Sequence, residues 1–215
     1  MSITILIKIL IVITSYLFGS IPVAYVLFKI KKGDDIRKYG SGNVGGTNVI
    51  RTLGAGWGLF TIFADALKGF LPVLAVYLIY PGDFILLALV SVAVILGHVF
   101  PIYIRFKGGK AISTTLGVVL GISVLPFILK PAWLRILPLF IGLGIWIIIF
   151  IIIRIVSLGS LIAAVSVPVS FYLLKYPLAI VIAAVFWALL IFITHRDNIK
   201  RLVRGEEKKI KGKGA

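Results

Sequence analysis

A glycine-rich polar segment in the first quarter of the chain has the residue types of an anion site. Residues 40–48 read Gly-Ser-Gly-Asn-Val-Gly-Gly-Thr-Asn, and Arg51 follows. Glycine lets the backbone adopt a positive φ and approach a ligand closely, so that successive amides can point at an anion. Hydroxyl and amide side chains add donors, and an arginine can hold a phosphate through paired hydrogen bonds. The nucleotide-binding pattern GxxxxGK[ST] is missing, so this glycine-rich segment predicts an anion site other than a nucleotide P-loop, or else a polar connection without a ligand.

A second segment, residues 105–111, combines glycines with cations. Gly108 and Gly109 lie between Lys107 and Lys110, just before a predicted helix that begins near Ile112. The first turn of a helix offers unpaired amides and the positive end of the helix dipole, which favour an anion. This basic segment is therefore a second candidate anion site, with a flexible basic turn as an equal alternative. His98 precedes it and is a candidate catalytic residue, although a lone histidine is more often a packing residue.

Other ionisable residues recur at helical spacing. Asp65 and Lys68 are three residues apart inside an apolar stretch, where charged groups usually face the protein interior. They predict either an ion pair that steadies helix packing or a pair that orients a loop of a site. His195, Asn198 and Arg201 recur every three residues after the last apolar stretch. They can share one helix face, as part of a site or of a solvated basic tail.

The composition places these residues in a membrane protein. Of the 215 residues, 60% are hydrophobic and 14% are charged, and the mean hydropathy is +1.15. Soluble domains are about 45–50% apolar and about 25% charged. The chain has no cysteine, which excludes disulfides, thiolate nucleophiles and zinc–thiolate or iron–sulfur sites. Stretches long enough to cross a hydrocarbon core of roughly 30 Å cover residues 3–28, 55–80, 84–104, 112–129, 134–153, 158–174 and 177–194. We therefore expect an all-α polytopic bundle of about seven transmembrane helices.

The cations are distributed unevenly between the two sides that these spans define. A net charge of +16 would suggest nucleic acid in a soluble chain, but here anionic lipid headgroups and membrane orientation explain it. Most of the 23 Lys and Arg residues lie in the loops 29–54 and 105–111, at Arg154 and in the tail, against Lys130, Arg135 and Lys175 on the other side. The positive-inside rule then places the C-terminus in the cytoplasm and the N-terminus outside. We expect no nucleic-acid partner.

The polar features together indicate one site, because they all lie on the predicted cytoplasmic side. That side is predicted from the spans and the cations, independently of these motifs. Acidic residues are scarce and form no recognisable metal-carboxylate cluster, and the HExxH and GxSxG motifs are missing. This combination predicts a metal-free site for a phosphate-bearing substrate. A transporter of phosphorylated anions is the alternative, but it would need basic groups near the midplane or matching broken helices. A structural membrane protein would leave both glycine segments unexplained.

The ordered set of motifs resembles the bacterial acyl-phosphate:glycerol-3-phosphate acyltransferases, the PlsY family. The resemblance covers nearly the whole chain. It rests on Gly19-Ser20-Ile21-Pro22, Asp35-Ile36-Arg37, the glycine-rich segment with Arg51, Asp65 with Lys68-Gly69, Gly97-His98 to Pro101, Phe106 to Lys110, Ser157 to Ser160, and His195 to Ile199 with Arg201-Leu202 and Gly205-Glu206. Gly46 stands where the family pattern has alanine, and Ala111 stands where it has glycine. Both changes exchange one small residue for another and bear on local loop geometry.

The resemblance implies a multi-pass enzyme of the bacterial inner membrane with its active site on the cytoplasmic side. It would transfer a fatty acyl group from acyl phosphate to the 1-hydroxyl of glycerol 3-phosphate, the first acylation of phospholipid synthesis. The products would be lysophosphatidic acid and phosphate. No cofactor or metal is implied, and the partners are the two substrates, membrane lipids and a soluble enzyme that makes the acyl phosphate.

The residues that the resemblance assigns to the site fall into two groups. Candidate catalytic residues are His98, Ser41, Lys107 and His195. Candidate substrate-binding residues are Gly40, Gly42, Asn43, Val44, Gly45, Gly46, Thr47, Asn48, Arg51, Lys68, Gly108, Gly109, Lys110, Ser157 and Asn198. We expect residues 1–205 to form one transmembrane domain and residues 206–215 a flexible basic tail. Because a mixed anhydride is already activated, we favour a substrate-assisted reaction, with a general base at His98 or His195 as the alternative.

Overall fold

The computed structural model describes residues 3–125, 131–207 and 209, and the regular elements in those ranges are helical throughout. The helices are α1 (Ile3–Gly19), α2 (Val23–Lys32), α3 (Gly46–Leu53), α4 (Ala55–Ile79), α5 (Phe84–Val99), α6 (Ile112–Ser123), α7 (Ala132–Ile153), α8 (Val156–Leu173), α9 (Leu178–Thr194) and α10 (Arg196–Val203). Single 3₁₀ turns lie at Ile36–Lys38 and Ile102–Ile104. The predicted all-α class is confirmed.

Fewer helices than the predicted seven meet the length of a membrane span. In the described ranges, five segments are long and apolar enough to cross, namely Ile3–Lys32, Ala55–Ile79, Phe84–Ile104, Trp133–Ile153 and Val156–Leu173. A sixth results if α9 and α10, which are bent by 63° at their junction, count as one span. The predicted span 112–129 begins as the shorter helix α6, and residues 126–130 lie outside the described ranges. The count of seven and the orientation of the termini therefore stay predictions.

The chain divides into two compact units, Met1–Ile122 and Ser123–Ala215. The first contains the glycine-rich segment, the basic segment and the Asp65–Lys68 pair. The second contains Ser157, His195 and Asn198. The expectation of one domain over residues 1–205 stays a prediction.

Glycines let the helices of the first unit pack backbone against backbone. A side chain at Gly97 of α5 would collide with the carbonyl of Tyr16 in α1, and one at Gly117 of α6 would collide with the carbonyl of Ala66 in α4. Without a strong hydrophobic drive between helices in lipid, such close contacts supply the van der Waals packing that joins them. They join α5 to α1 and α6 to α4.

In the second unit α8 packs between α7 and α9. The indole of Trp146 on α7 donates to the hydroxyl of Ser160 on α8 at 3.2 Å. The rings of Phe171 on α8 and Trp187 on α9 meet edge to face at 6.5 Å, an arrangement that aromatic rings prefer. These contacts fix the helix ends that carry the unit's polar residues.

Candidate active site

The glycine-rich segment is folded around the side chain of Asn48, which is fully buried. Its Oδ1 accepts from the backbone amide of Ser41 at 2.8 Å, and its Nδ2 donates to the carbonyls of Tyr39 and Asn43, both at 3.0 Å. Gly40 adopts φ +61° beside this amide, where a side chain would strike Oδ1. The polar atoms of Asn48 are therefore occupied by the backbone of the loop, and its role as a substrate-binding residue stays a prediction.

The start of α3 carries the open donors of this segment. Gly45 is the N-cap residue in extended conformation, and the amides of Gly46 and Thr47 precede the first hydrogen bond inside the helix. Arg51 is exposed one turn after the half-buried Thr47, and Ser41 is exposed in the adjoining loop. In the described ranges, the side chains of Ser41 and Arg51 make no hydrogen bond or ion pair within the chain. This end of α3 has the donors and the charge that an anion requires.

Other predicted binding residues of the segment serve packing. Val44 is buried in a small core with Val49 of α3. A side chain at Gly46 would collide with Ile62 of α4, so this glycine lets α3 lie against α4. Gly42 is exposed and takes φ +71°, as a tight turn requires. Their backbone remains part of the segment, whereas Val44 contributes no polar side chain to a ligand.

Arg37 connects two stretches of backbone, one just before the glycine-rich segment and one just before the basic segment. Its guanidinium pairs with Asp35 at 2.6 Å and donates to the carbonyl of Ile104 at 3.3 Å. The same guanidinium lies 5.5 Å from the ring centre of Tyr25, within cation–π range. The hydrogen bonds from Arg37 hold the pKa of Asp35 below its ordinary value, since they outweigh the effect of partial burial. The two segments are thereby brought close together in the first unit.

The glycines of the basic segment do not offer their amides to a ligand. The amide of Gly108 donates to the carbonyl of Val99, and that of Gly109 donates to the carbonyl of His98, both at 3.1 Å. A side chain at either glycine would collide with the backbone or ring of His98. The structure corrects the predicted amide cradle, because these glycines seat the segment on the C-terminal end of α5.

The backbone of the basic segment is strained, because non-glycine residues in it adopt positive φ angles. Arg105, Phe106 and Ala111 all adopt positive φ, between 58° and 60°. Lys107 is exposed, and its side chain makes no hydrogen bond or ion pair with the described residues. Lys110 is half-buried and has an interaction partner. Of the two predicted lysines, Lys107 is therefore the one whose charge is available at the surface.

Below the two segments lies a buried cluster of charged and polar side chains. The ammonium of Lys68 is 2.9 Å from Oδ1 of Asp65 and donates to the carbonyl of Ile21 at 2.9 Å, at the break between α1 and α2. Nδ1 of His98 lies 3.1 Å from the hydroxyl of Thr114 and 3.6 Å from the same Asp65 oxygen. All four side chains are buried. The ion pair predicted for Asp65 and Lys68 is confirmed, and the structure places Lys68 and His98 in the interior instead of at an open binding surface.

The second unit has its own polar cluster, centred on Glu207. The carboxylate accepts from Ser157 at 2.8 Å, from Nδ2 of Asn198 at 2.5 Å and from Nε of Arg201 at 2.6 Å. Burial raises the pKa of Glu207, but the three donors outweigh it and the pKa is lowered overall. Ser157, at the start of α8, and Asn198, on α10, are thus brought together around an acidic residue, and their predicted roles toward the substrates stay predictions.

His195 occupies the bend between α9 and α10. Its side chain is buried, and Nδ1 lies 2.8 Å from the carbonyl of Ile191. Because a carbonyl only accepts, this contact places a proton on Nδ1. The role predicted for His195 stays a prediction.

Sequence reasoning missed Glu207 and Thr114. Glu207 falls in the predicted flexible tail, yet it accepts three hydrogen bonds; residues 208 and 210–215 lie outside the described ranges. The scarcity of acidic residues in this basic chain was a signal that a tail carboxylate has a partner. Thr114 gave no such signal, since its partner is sixteen residues away and is reached only by the crossing of α5 and α6.

Comparison with known proteins gives a consistent result. The sequence profile of the family "Glycerol-3-phosphate acyltransferase" matches residues 9–205. A glycerol-3-phosphate acyltransferase of Endomicrobium trichonymphae is 43% identical over 96% of this chain and 97% of its own length. One of Aquifex aeolicus is 39% identical over 91% of this chain and 95% of its own. The chain belongs to this family.

Solved structures agree with the assignment. A crystal structure of PlsY, an integral membrane glycerol 3-phosphate acyltransferase, in its glycerol 3-phosphate form superposes with a TM-score of 0.86. It is 37% identical, over 95% of this chain and 96% of that one. The lysophosphatidic acid form gives a TM-score of 0.83 at 35% identity. The predicted PlsY-family membrane helix bundle is confirmed, and the chain is a multi-pass membrane protein of an acyltransferase family.

Proposed function

We propose that this chain transfers a fatty acyl group from acyl phosphate to the 1-hydroxyl of glycerol 3-phosphate. The observation that carries the proposal is the set of exposed donors in the first unit. The side chains of Ser41, Arg51 and Lys107 make no hydrogen bond or ion pair within the described ranges. Ser41 and Arg51 lie on either side of the open amides at the start of α3, and Lys107 lies on the basic segment. Cations and oriented amides of this kind suit two substrates that both bear phosphate. Family membership supports glycerol 3-phosphate as the acceptor.

The chemistry requires charge control more than a strong base. The 1-hydroxyl oxygen bonds to the carbonyl carbon of the acyl phosphate, and the bond from that carbon to the phosphate oxygen breaks with its electron pair. The hydroxyl proton ends on a phosphate oxygen. Arg51 and Lys107 offset the repulsion between the two phosphates, and the α3 amides stabilise the charge that grows on the leaving phosphate.

A general base remains the competing route. The candidate bases are His98 and His195, and both side chains are buried. Ser157, His195 and Asn198 stay predicted substrate residues. If kcat/KM of the unmodified protein falls at low pH and that of a His195→Gln protein does not, the base is His195.

The proposal includes the side of the membrane on which the active site lies and the source of the acyl phosphate. The excess of Lys and Arg in the loops 29–54 and 105–111 supports an active site on the cytoplasmic side of a bacterial inner membrane. A soluble enzyme that makes the acyl phosphate would deliver it at that surface. The acyl chain would remain in the bilayer while its phosphate reaches the polar segments.

The donor is the part of the proposal that one assay decides. Purified protein in lipid receives labelled glycerol 3-phosphate with palmitoyl phosphate in one reaction and palmitoyl-CoA in another. Lysophosphatidic acid from palmitoyl phosphate alone supports the proposal. Product from palmitoyl-CoA alone keeps the acyltransferase and overturns the donor, and no product from folded protein in either reaction overturns both.

A further inference from the structure

The buried cluster of Asp65, Lys68, His98 and Thr114 joins elements that are far apart in sequence. Asp65 and Lys68 belong to α4, His98 to the last turn of α5 and Thr114 to α6. Lys68 also binds the carbonyl of Ile21 at the break between α1 and α2. The four side chains are 0% to 7% exposed. An ionisable group so deep in a helix bundle needs a partner or a function.

The internal geometry of the cluster centres on one oxygen. Oδ1 of Asp65 faces the ammonium of Lys68 at 2.9 Å on one side and Nδ1 of His98 at 3.6 Å on the other. The hydroxyl of Thr114 lies 3.1 Å from Nδ1 of His98, within hydrogen-bond distance. Thr114 on α6 is therefore within hydrogen-bond distance of one edge of the imidazole, and the Asp65 carboxylate on α4 lies just beyond that distance.

The opposite edge of the His98 ring touches the basic segment at Gly109, and Gly109 in turn lies against the glycine-rich segment. A side chain at Gly109 would collide with Nε2 of His98 and lie 2.5 Å from the carbonyl of Val44. Gly109 of the basic segment is thus held between the His98 ring and the glycine-rich segment. The amide of Gly109 donates to the carbonyl of His98 at 3.1 Å, which makes a second attachment. Gly109 is therefore the point at which the basic segment contacts both the end of α5 and the glycine-rich segment.

We propose that His98 is a positioning residue for glycerol 3-phosphate binding, held by Thr114 and Asp65 so that its ring fixes the basic segment against the glycine-rich segment. The consequence is a set distance between Lys107 on one segment and Ser41 and Arg51 on the other. A misplacement of about 1 Å is enough to reduce productive binding strongly. This inference rests on the proposed function, because it assigns a role in binding that substrate.

The test uses the hydroxyl that holds the ring. Thr114→Val keeps the shape and removes the partner of Nδ1, so we expect the Kd and the KM for glycerol 3-phosphate to rise about tenfold with kcat changed by less than about threefold. Thr114→Ser restores the hydroxyl and should return both constants to near the original values. Thr61→Val is the matched control, because Thr61 is equally buried on α4 and its hydroxyl bonds only the carbonyl of Trp57 in its own helix.

A second variant separates positioning from catalysis. His98→Asn places a polar atom near the former Nδ1 and should keep kcat within about tenfold and the pH profile unchanged. Loss of kcat by about 10²–10³ at unchanged KM, together with loss of a limb of the pH profile, would overturn the proposal in favour of a catalytic base. A lower melting temperature of Thr114→Val with an unchanged Kd would overturn it in favour of a purely structural role.

Binding and turnover are measured separately, so failure of the positioning role can be distinguished from failure of the proposed function. The Kd for glycerol 3-phosphate is measured by calorimetry on the full chain and needs no acyl donor. If the unmodified protein fails with palmitoyl phosphate but the Kd series behaves as expected, the donor assignment fails and the positioning role stands. If the protein turns over and the Kd is the same in all variants, the positioning role fails alone.

Discussion

At the scale of single residues, Asn48 shows how a buried side-chain amide organises the glycine-rich segment. Its side chain satisfies one amide and two carbonyls at short distance. These partly buried backbone groups would otherwise lose a hydrogen-bond partner, which is costly. The loop conformation that exposes Ser41 therefore depends on Asn48.

Replacing this amide tests that dependence. We expect Asn48→Ala to lower the free energy of unfolding by about 1–3 kcal/mol, because it leaves buried backbone groups unpaired. The KM for glycerol 3-phosphate should rise as well, since the Ser41 amide loses its anchor. Thermal unfolding in detergent and steady-state kinetics measure both, and an Asn48→Ala protein with unchanged stability would contradict this account.

Glu207 is the second residue whose environment makes a prediction. Its pKa is lowered because Arg201, Asn198 and Ser157 donate to the carboxylate, which more than offsets burial. A lowered pKa means that the folded protein prefers the ionised form, so the carboxylate stabilises the fold above its ordinary pKa of about 4.5. That contribution is lost as the pH falls through the folded-state value.

The prediction is a pH-dependent difference in stability. Glu207→Gln should unfold at a lower temperature than the unmodified protein at pH 7, and the difference should shrink as the pH falls below about 4.5. Glu206→Gln is the control, because Glu206 is the exposed neighbour. Equal melting temperatures for Glu207→Gln and Glu206→Gln at pH 7 would show that the three hydrogen bonds contribute nothing.

At the scale of elements, the crossing of α4 and α6 depends on glycine at the contact. A side chain at Gly117 would meet the backbone of Ala66, and one at Gly69 would meet the backbone of Thr114. Backbone atoms cannot rotate away as side chains do, so an added methyl must push the helices apart. Thr114, which contacts His98 of α5, lies on the same stretch of α6, so the packing of α6 is linked to the site.

An alanine at this crossing should therefore be destabilising. We expect Gly117→Ala to reduce stability by about 1–3 kcal/mol and to raise the KM for glycerol 3-phosphate, because it moves Thr114. Gly144→Ala on α7 is the matched control: an added Cβ there meets nothing within 4 Å. Thermal unfolding of both proteins gives the comparison, and equal stability would contradict the close-contact account.

At the scale of the whole molecule, the distribution of charge predicts the orientation in the membrane. Most cations lie in the loops 29–54 and 105–111 and in the tail. Translocation of such loops is disfavoured, and anionic lipids of the cytoplasmic leaflet attract them. The connection between α4 and α5, which contains Pro81, should then face the opposite side.

The lack of native cysteine makes this orientation easy to test. We expect Pro81→Cys to react with a membrane-impermeant maleimide in intact cells, whereas Lys32→Cys should react only after the inner membrane is opened. Both positions are exposed. The reverse pattern would invert the predicted topology and move the proposed active site to the other face.

Much of the fold and of the site is readable in the sequence because its signals are local. Apolar stretches such as 55–80 and 84–104 predict α4 and α5 to within a few residues, since a helix in lipid must satisfy its own backbone. The spacing of Asp65 and Lys68 predicts their ion pair because residues three apart share a helix face. The motif order also suffices to recognise the family, although it does not separate residues that touch a ligand from residues that support them.

That separation comes only from the tertiary structure. Asn48, His98 and Gly109 look like ligand residues in the sequence, but their partners are carbonyls, amides and side chains brought in by other elements. The three donors to Glu207 come from α8 and α10, so its role depends on how these helices meet. A residue type and its spacing determine which interactions a side chain is able to make. The packing of distant segments determines which of them it makes, because hydrogen bonds form only within about 3 Å and burial excludes the water that would otherwise compete.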